Sequence, residues 1–115
     1  MSVSGPADAA VPEQLIQDSA GMFAMLSATV RLQIMWLLSL GARDVGTLAD
    51  ETGQTMATVS HHLGKLKLGG FVKAKRDGRH QVYVVSNELA LEVVRVAINA
   101  GLHEPASALR ATHAG

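Results

Sequence analysis

The sequence contains no cysteine, which excludes disulfide bonds, thiolate metal ligands and thiol-based redox sensing. Aromatic residues make up only 3% of the 115 residues, so a folded interior must be packed from aliphatic side chains. No run of about 18 apolar residues is present, and the first residues lack the basic head and long apolar stretch of a signal peptide. We therefore expect a cytoplasmic protein with no membrane partner.

Sequence motifs of catalysis are also missing. There is no nucleophile elbow, phosphate-binding loop or HExxH pair. Ser60 and His61 are adjacent, and on a helix they point about 100° apart, so they cannot act together as nucleophile and base. These absences predict that the protein is not an enzyme.

The charge is balanced overall but unevenly distributed. The formal net charge is zero at pH 7. Residues 61–80, however, hold six basic residues and one acidic residue, whereas residues 1–60 hold two basic and six acidic residues. Concentrated positive charge on one segment is typical of nucleic-acid binding, because it can neutralise backbone phosphates.

That basic segment overlaps a pattern of two short helices. Val45, Leu48 and Ala49 have helical spacing, and Gly53 then permits a turn. Thr55 is an expected N-cap for the second helix. The pattern indicates a helix-turn-helix.

In the second helix, Val59, Leu63 and Leu66 share one face, which leaves a polar face of hydroxyls, imidazole and lysine. Gly69-Gly70 ends this helix, and the chain then runs into Asp77-Gly78, a dipeptide favoured in two-residue hairpin turns. Residues 79–85 are expected to return as a second strand. A hairpin appended to a helix-turn-helix predicts a winged helix.

The flanking segments complete one domain. Residues 1–11 are expected to be a disordered arm, residues 12–104 the folded domain, and residues 105–115 a C-terminal tail. A first helix should begin at Pro12-Glu13, and a buried central helix should span residues 31–40. Asn87 is an expected N-cap for a last helix, from residue 88 to about residue 100.

Two segments, FAMLSATVRLQIMWLL and LADETGQTMATVSHHLGKLKLGGFVKAKRDGRHQVYVV, resemble the ArsR/SmtB family of small bacterial metalloregulators. The similarity covers roughly residues 22–102. It implies a mainly α fold with a β-hairpin wing, a winged helix-turn-helix that dimerises through its first and last helices. One departure is that Ala28-Thr29-Val30-Arg31 lacks the proline usual at the start of the family's second helix.

Dimerisation also follows from size, because so small a domain has little of its own to cover two amphipathic outer helices. The candidate interface residues share an apolar character and a position on those helices: Leu15, Phe23, Leu89, Val93 and Val96. We therefore expect a homodimer.

The resemblance and the polar face together predict a DNA-binding transcriptional regulator, most simply a repressor bound to a double-stranded operator. The candidates for base-edge contacts are Thr55, Thr58, Ser60 and His61. The candidates for phosphate or minor-groove contacts are Lys65, Arg76, Arg79 and His80. His62, beside the apolar stripe, is expected to be packed or to act as a cap. The alternative is a winged helix that has lost DNA binding and acts as a protein co-regulator.

The resembled family also implies a metal effector. Its site between the last helices falls here on Asn87, Leu89, Ala100 and His103, of which three are poor ligands. A second set, His103, Glu104 and His113, resembles the tail sites of nickel- and cobalt-sensing relatives and would suit nickel, cobalt or zinc. The alternatives are that these residues are merely solvated, and that the effector is organic or absent.

Overall fold

The computed structural model describes residues 10–103, which form five helices and a two-stranded antiparallel sheet. The elements, in chain order, are α1 Glu13–Leu26, α2 Thr29–Ser39, α3 Val45–Thr52, α4 Met56–Leu68, β1 Val72–Asp77, β2 His80–Val85 and α5 Glu88–His103. This is the predicted mainly α fold with a hairpin. The predicted arm and tail lie largely outside the described residues and stay predictions.

Helix α2 lies at the centre of the hydrophobic core. Its Ile34 and Met35 side chains are fully buried, and residues from α3, α4, β1 and α5 pack around them. The helix begins at Thr29, two residues earlier than predicted. Ala28, in an extended conformation, is its N-cap and makes no side-chain capping bond. The missing proline therefore does not prevent the helix from starting here.

Helices α3 and α4 form the helix-turn-helix, and both are capped by side chains. The Asp44 carboxylate accepts a hydrogen bond from the Thr47 amide at 2.8 Å. Helix α3 then ends at Gly53, whose φ of 70° lies in the left-handed region. The Thr55 hydroxyl accepts from the Thr58 amide at 3.1 Å, so the predicted N-cap of α4 is confirmed.

The hairpin forms the wing, but its loop is one residue further along than predicted. Asp77 pairs with His80, so the two loop residues are Gly78-Arg79 rather than Asp77-Gly78. Gly78 has a φ of 64°, and a glycine in the first loop position supplies the positive φ that this kind of hairpin turn requires. Strand β2 consequently begins at His80 and not at Arg79.

An isolated β-bridge holds the wing against the helices. Arg43, just before α3, exchanges two backbone hydrogen bonds with Tyr83 of β2, at 2.8 and 3.3 Å. The Arg43 side chain also pairs with Glu51 of α3, with Nε to Oε1 at 2.6 Å. The wing is thus tied to the chain segment that leads into α3, the helix that precedes α4.

Helices α1 and α5 lie on the outside of the domain. Asn87 caps α5 as predicted, with its Oδ1 accepting from the Ala90 amide at 3.0 Å. No single helix within residues 10–103 has both the length and the apolar character to cross a membrane; α1 and α2 meet that criterion only as a pair bent by 90°.

Candidate DNA interface

Helix α4 presents one face to the core and the opposite face to solvent. Val59, Leu63 and Leu66 are at most 1% exposed. On the other side, Ser60, His61 and Lys65 are exposed. This is the division that a recognition helix needs, because an immobilised apolar face holds the polar face in a fixed orientation.

The capping bond assigns different roles to the two threonines predicted to read bases. The Thr55 hydroxyl accepts from the Thr58 amide and donates to the Thr58 hydroxyl at 3.0 Å. Its hydrogen is therefore used within the helix. Thr58 keeps its own hydroxyl hydrogen, so it can still donate to a base or a phosphate oxygen.

The remaining polar residues are arranged in a stripe. Thr58, His61 and Lys65 follow one another at steps of three and four, which places them along one side of the helix. Ser60 lies about 100° around the helix from His61, so it would face a different wall of a groove. The four side chains are thus brought together on one helix without pointing in one direction.

Two small residues beside this stripe were missed by reasoning from the sequence. Ala57 is exposed, and so is Gly64, where an added Cβ would meet no atom within 4 Å. Nothing in the described fold therefore requires glycine in the middle of α4, where it costs roughly 1 kcal/mol relative to alanine. Its small size would let the helix backbone approach a groove closely. The signal in the sequence was a glycine inside a helical pattern.

His62 is packed, as expected. Its contact with Arg31 links α4 to α2, and through Arg31 to α1. Its Nδ1 lies 3.3 Å from Nη1 of Arg31 in α2. The Nε of Arg31 donates to the carbonyl oxygen of Met25 in α1 at 2.7 Å. Burial lowers the pKa of His62, and the positive charges of Arg31, His61 and Lys65 lower it further.

The wing carries the rest of the predicted contacts. Arg76, Arg79 and His80 are all exposed, with Arg79 in the loop at the tip. Lys73 and Lys75 are exposed as well and lie on the face of the hairpin opposite to Arg76. Both lysines were omitted from the predicted contacts, although the alternation of side chains along a strand already predicts basic residues on both faces of the hairpin.

The basic residues of α4 and the wing have no ion-pair partner in the part of the chain that the structure describes. Between residues 10 and 103 the one salt bridge joins Arg43 and Glu51, at the base of the wing. The cations of residues 65–79 therefore face solvent. Such an arrangement can neutralise phosphates without first breaking internal contacts.

The outer helices form an apolar face on another side of the molecule. Leu15 and Phe23 of α1 are 54% and 56% exposed, and Leu89 and Val96 of α5 are 65% and 63% exposed. Val93 is only half-exposed and packs partly against the core. The five predicted interface residues thus lie on the two outer helices, and four of the five side chains are largely exposed in the single chain.

The predicted metal ligands can be assessed only in part. His103 is exposed at the end of α5, with Nδ1 2.9 Å from the carbonyl oxygen of Asn99. Glu104 and His113 lie outside the described residues. Within residues 10–103, no three histidine, aspartate or glutamate side chains are grouped closely enough to hold a metal ion.

Residues 29–74, from α2 to the middle of β1, match the family model for "Bacterial regulatory protein, arsR family". The cadmium resistance transcriptional regulatory protein CadC of Listeria innocua is 32% identical over 84 residues, which cover 70% of this chain and 68% of CadC. This chain belongs to the arsR family. The HTH-type transcriptional regulator KmtR of Mycobacterium tuberculosis is 34% identical over 77 residues. That alignment covers 67% of this chain, which spans only 59% of KmtR.

A solved structure agrees with this assignment. The homodimeric winged helix-turn-helix DNA-binding domain of Mb0332 from Mycobacterium bovis is a possible ArsR-family regulator. Its solution structure superposes on this ArsR-family chain with a TM-score of 0.66 and 31% identity, and covers 91% of this chain and 97% of the domain. The fold is therefore a winged helix-turn-helix, with α4 in the position of the recognition helix.

Proposed function

We propose that this ArsR-family chain is a homodimeric transcriptional repressor, not an enzyme, and that it binds operator DNA through α4 and the wing. The observation that carries this proposal is the combination of a polar stripe on α4, exposed at His61 and Lys65, with exposed cations on the wing. Because the whole chain has no net charge, the positive charge concentrated on α4 and the wing points to a function of that surface rather than to the overall composition. A co-regulator that did not contact DNA would have no use for it.

The contacts divide into two kinds. Thr58, Ser60 and His61 carry short donors and acceptors that can reach base edges in a major groove. Lys65, Arg76 and Arg79 carry charges that suit phosphates, which supply affinity without sequence information, and His80 can donate to a phosphate from the wing. Thr55 acts chiefly as the cap that orients α4.

Dimerisation through α1 and α5 completes the proposal. Four of the proposed interface residues expose more than half of their surface in the single chain. An exposed apolar face of this kind marks an interaction surface. A two-fold dimer would present two copies of α4 to successive turns of one DNA duplex.

Selection of duplexes from a random library by the purified protein tests the proposal. We expect an enriched sequence with two related half-sites, bound at least about a thousandfold more tightly than random duplex at physiological salt. Affinity for both duplexes should fall as salt rises, because cations of α4 and the wing displace counterions. Absence of DNA binding at any salt concentration would favour the co-regulator alternative.

We also propose that a metal acts as effector through His103, Glu104 and His113. The CadC relatives are named for cadmium resistance, and the geometry of His103 supports a ligand role. A carbonyl oxygen only accepts, so the Asn99 contact makes Nδ1 the donor and leaves Nε2 free to ligate. The alternative set between the last helices does not fit, because Asn87 is used as a cap and the Leu89 and Ala100 side chains offer no donor atom.

Calorimetric titration of nickel, cobalt and zinc tests the metal site. The variant His103→Ala/His113→Ala should bind at least about tenfold more weakly than wild type. Metal affinity for wild type should also be lower in acid than at neutral pH, because a protonated imidazole cannot ligate. Unchanged affinity in the variant would exclude this site.

A further inference from the structure

One arginine side chain joins three helices. Arg31 extends from α2, donates through Nε to the Met25 carbonyl oxygen near the end of α1, and places Nη1 beside Nδ1 of His62 in α4. A guanidinium group has only donors, so Nδ1 of His62 must be the acceptor. The neutral imidazole therefore carries its proton on Nε2, and the recognition helix is tied to the outer helix α1.

The ionisable groups that shift the pKa of His62 are all basic. They are Arg31 of α2 and His61 and Lys65 of α4, and the hydrogen bond that links Arg31 to α1 is accepted by the Met25 carbonyl oxygen. Burial and then the neighbouring Arg31, His61 and Lys65 lower the pKa of His62, which favours the neutral imidazole. Protonation would remove the acceptor and place two cations side by side.

We propose that Arg31 and His62 are a positioning pair that sets the angle of the recognition helix relative to α1, and that only a neutral His62 maintains it. The inference rests on the proposed function, in which α1 lies in the dimer interface and α4 in the major groove. The angle between those helices then decides where the two copies of α4 meet DNA. Loss of the pair should reduce discrimination between operator and random duplex more than it reduces affinity for random duplex.

The pair can be tested without DNA by nuclear magnetic resonance of protein with 15N-labelled histidine. Wild type should show His62 protonated at Nε2 and titrating below about 6.5, the ordinary histidine value. Arg31→Gln should raise the pKa of His62 and allow its neutral ring to carry the proton on Nδ1 as well as on Nε2. Lys65→Gln removes one charge but no hydrogen bond, so it should leave the Nε2–H tautomer in place. An Nδ1–H tautomer in wild type would overturn the proposal.

The effect on DNA can be measured by fluorescence anisotropy from pH 8 to pH 5.5. The probes are a duplex selected by wild type from a random library and a random duplex of equal length. Discrimination by wild type should decrease as the pH is lowered through the pKa of His62, toward the roughly fivefold lower value expected when the pair is broken. His62→Asn offers Oδ1 in place of Nδ1 and does not titrate, so its discrimination should change much less with pH. Arg31→Lys keeps the positive charge but cannot contact the Met25 carbonyl oxygen and His62 at once. It should discriminate between the two duplexes about fivefold less than wild type at every pH.

The outcomes separate the two proposals. If wild type selects no duplex, the proposed function is wrong and the positioning role falls with it. If wild type selects a duplex but His62→Asn loses discrimination with pH as wild type does, only the positioning pair is wrong. Thermal unfolding by circular dichroism should show cooperative transitions for each variant, and the tautomer of wild type tests the pair independently of any variant.

Discussion

Replacing Val96 by glutamate should convert the dimer into monomers. Val96 is 63% exposed in the single chain and lies on the apolar face of α5. Full burial of a valine contributes about 1.5–3 kcal/mol, so covering its exposed part contributes roughly 1–2 kcal/mol. An unpaired carboxylate at the same position adds a desolvation cost of at least about 1 kcal/mol. Val96 is a better probe than Val93, because Val93 also packs against the core.

The two-fold axis doubles this effect. Each dimer contains two copies of Val96, so Val96→Glu should weaken association by roughly 4–6 kcal/mol, which corresponds to about three to four powers of ten in Kd. Sedimentation equilibrium at micromolar concentration should then show monomers, and operator binding should be lost. Leu40→Glu is the matched control, because Leu40 is 61% exposed but lies at the end of α2. A dimeric Val96→Glu protein, or a monomeric Leu40→Glu protein, would refute the proposed interface.

Three further predictions concern DNA, pH and metal. His61→Ala should reduce discrimination between selected and random duplex by ~1–3 kcal/mol. Arg79→Ala should instead weaken binding to the two duplexes equally and lower the salt slope by about one. Equal effects of the two variants in a salt titration would contradict this division. The hydrogen bond from the Thr47 amide holds the pKa of Asp44 below its ordinary value, so the stability from this cap is present above about pH 4 and lost as pH falls through the lowered value. Urea unfolding from pH 3 to 7 should show that loss in wild type but not in Asp44→Asn, and parallel pH profiles would be inconsistent with it. His103→Ala alone should weaken nickel binding at least about tenfold in calorimetry, and an unchanged isotherm would argue against His103 as a ligand.

Local patterns in the sequence predicted each of the helices, although α2 begins at Thr29 rather than Arg31 and α5 extends to His103 rather than to about Ala100. The α4 stripe of Val59, Leu63 and Leu66 is buried as its spacing predicts. The caps at Thr55 and Asn87 are also local, because each side chain bonds an amide three residues ahead. Such features depend on helical geometry alone, so they can be predicted before the fold is known.

The register of the hairpin and the contacts between distant segments were not predicted. The hairpin loop was placed one residue too early, because the pairing of Asp77 with His80 and the φ of Gly78 decide the register, and several dipeptides around one glycine are compatible with a turn. The bridge from Arg43 to Tyr83 joins residues 40 positions apart, and no periodic pattern in the sequence predicts it. Of the metal site, only His103 lies in the described part of the chain.

The position of His62 in the sequence indicated packing but not its partner. Its place beside the apolar stripe predicted a packed or capping histidine, whereas the contact with Arg31 requires α2 and α4 to approach each other at that point. The two residues are 31 positions apart. A single sequence therefore predicts which side of the recognition helix is buried, but not what fixes its angle.

Hydroxyl-radical footprinting of a selected duplex tests the central claim most directly. A dimer that places one α4 in each of two successive major grooves should protect two symmetric segments, with centres about one helical turn, roughly 10 base pairs, apart. Protection should disappear with Val96→Glu at concentrations where Leu40→Glu still protects. A single protected segment that survives in the Val96→Glu protein would contradict the account, because it would show that a monomer reads the DNA.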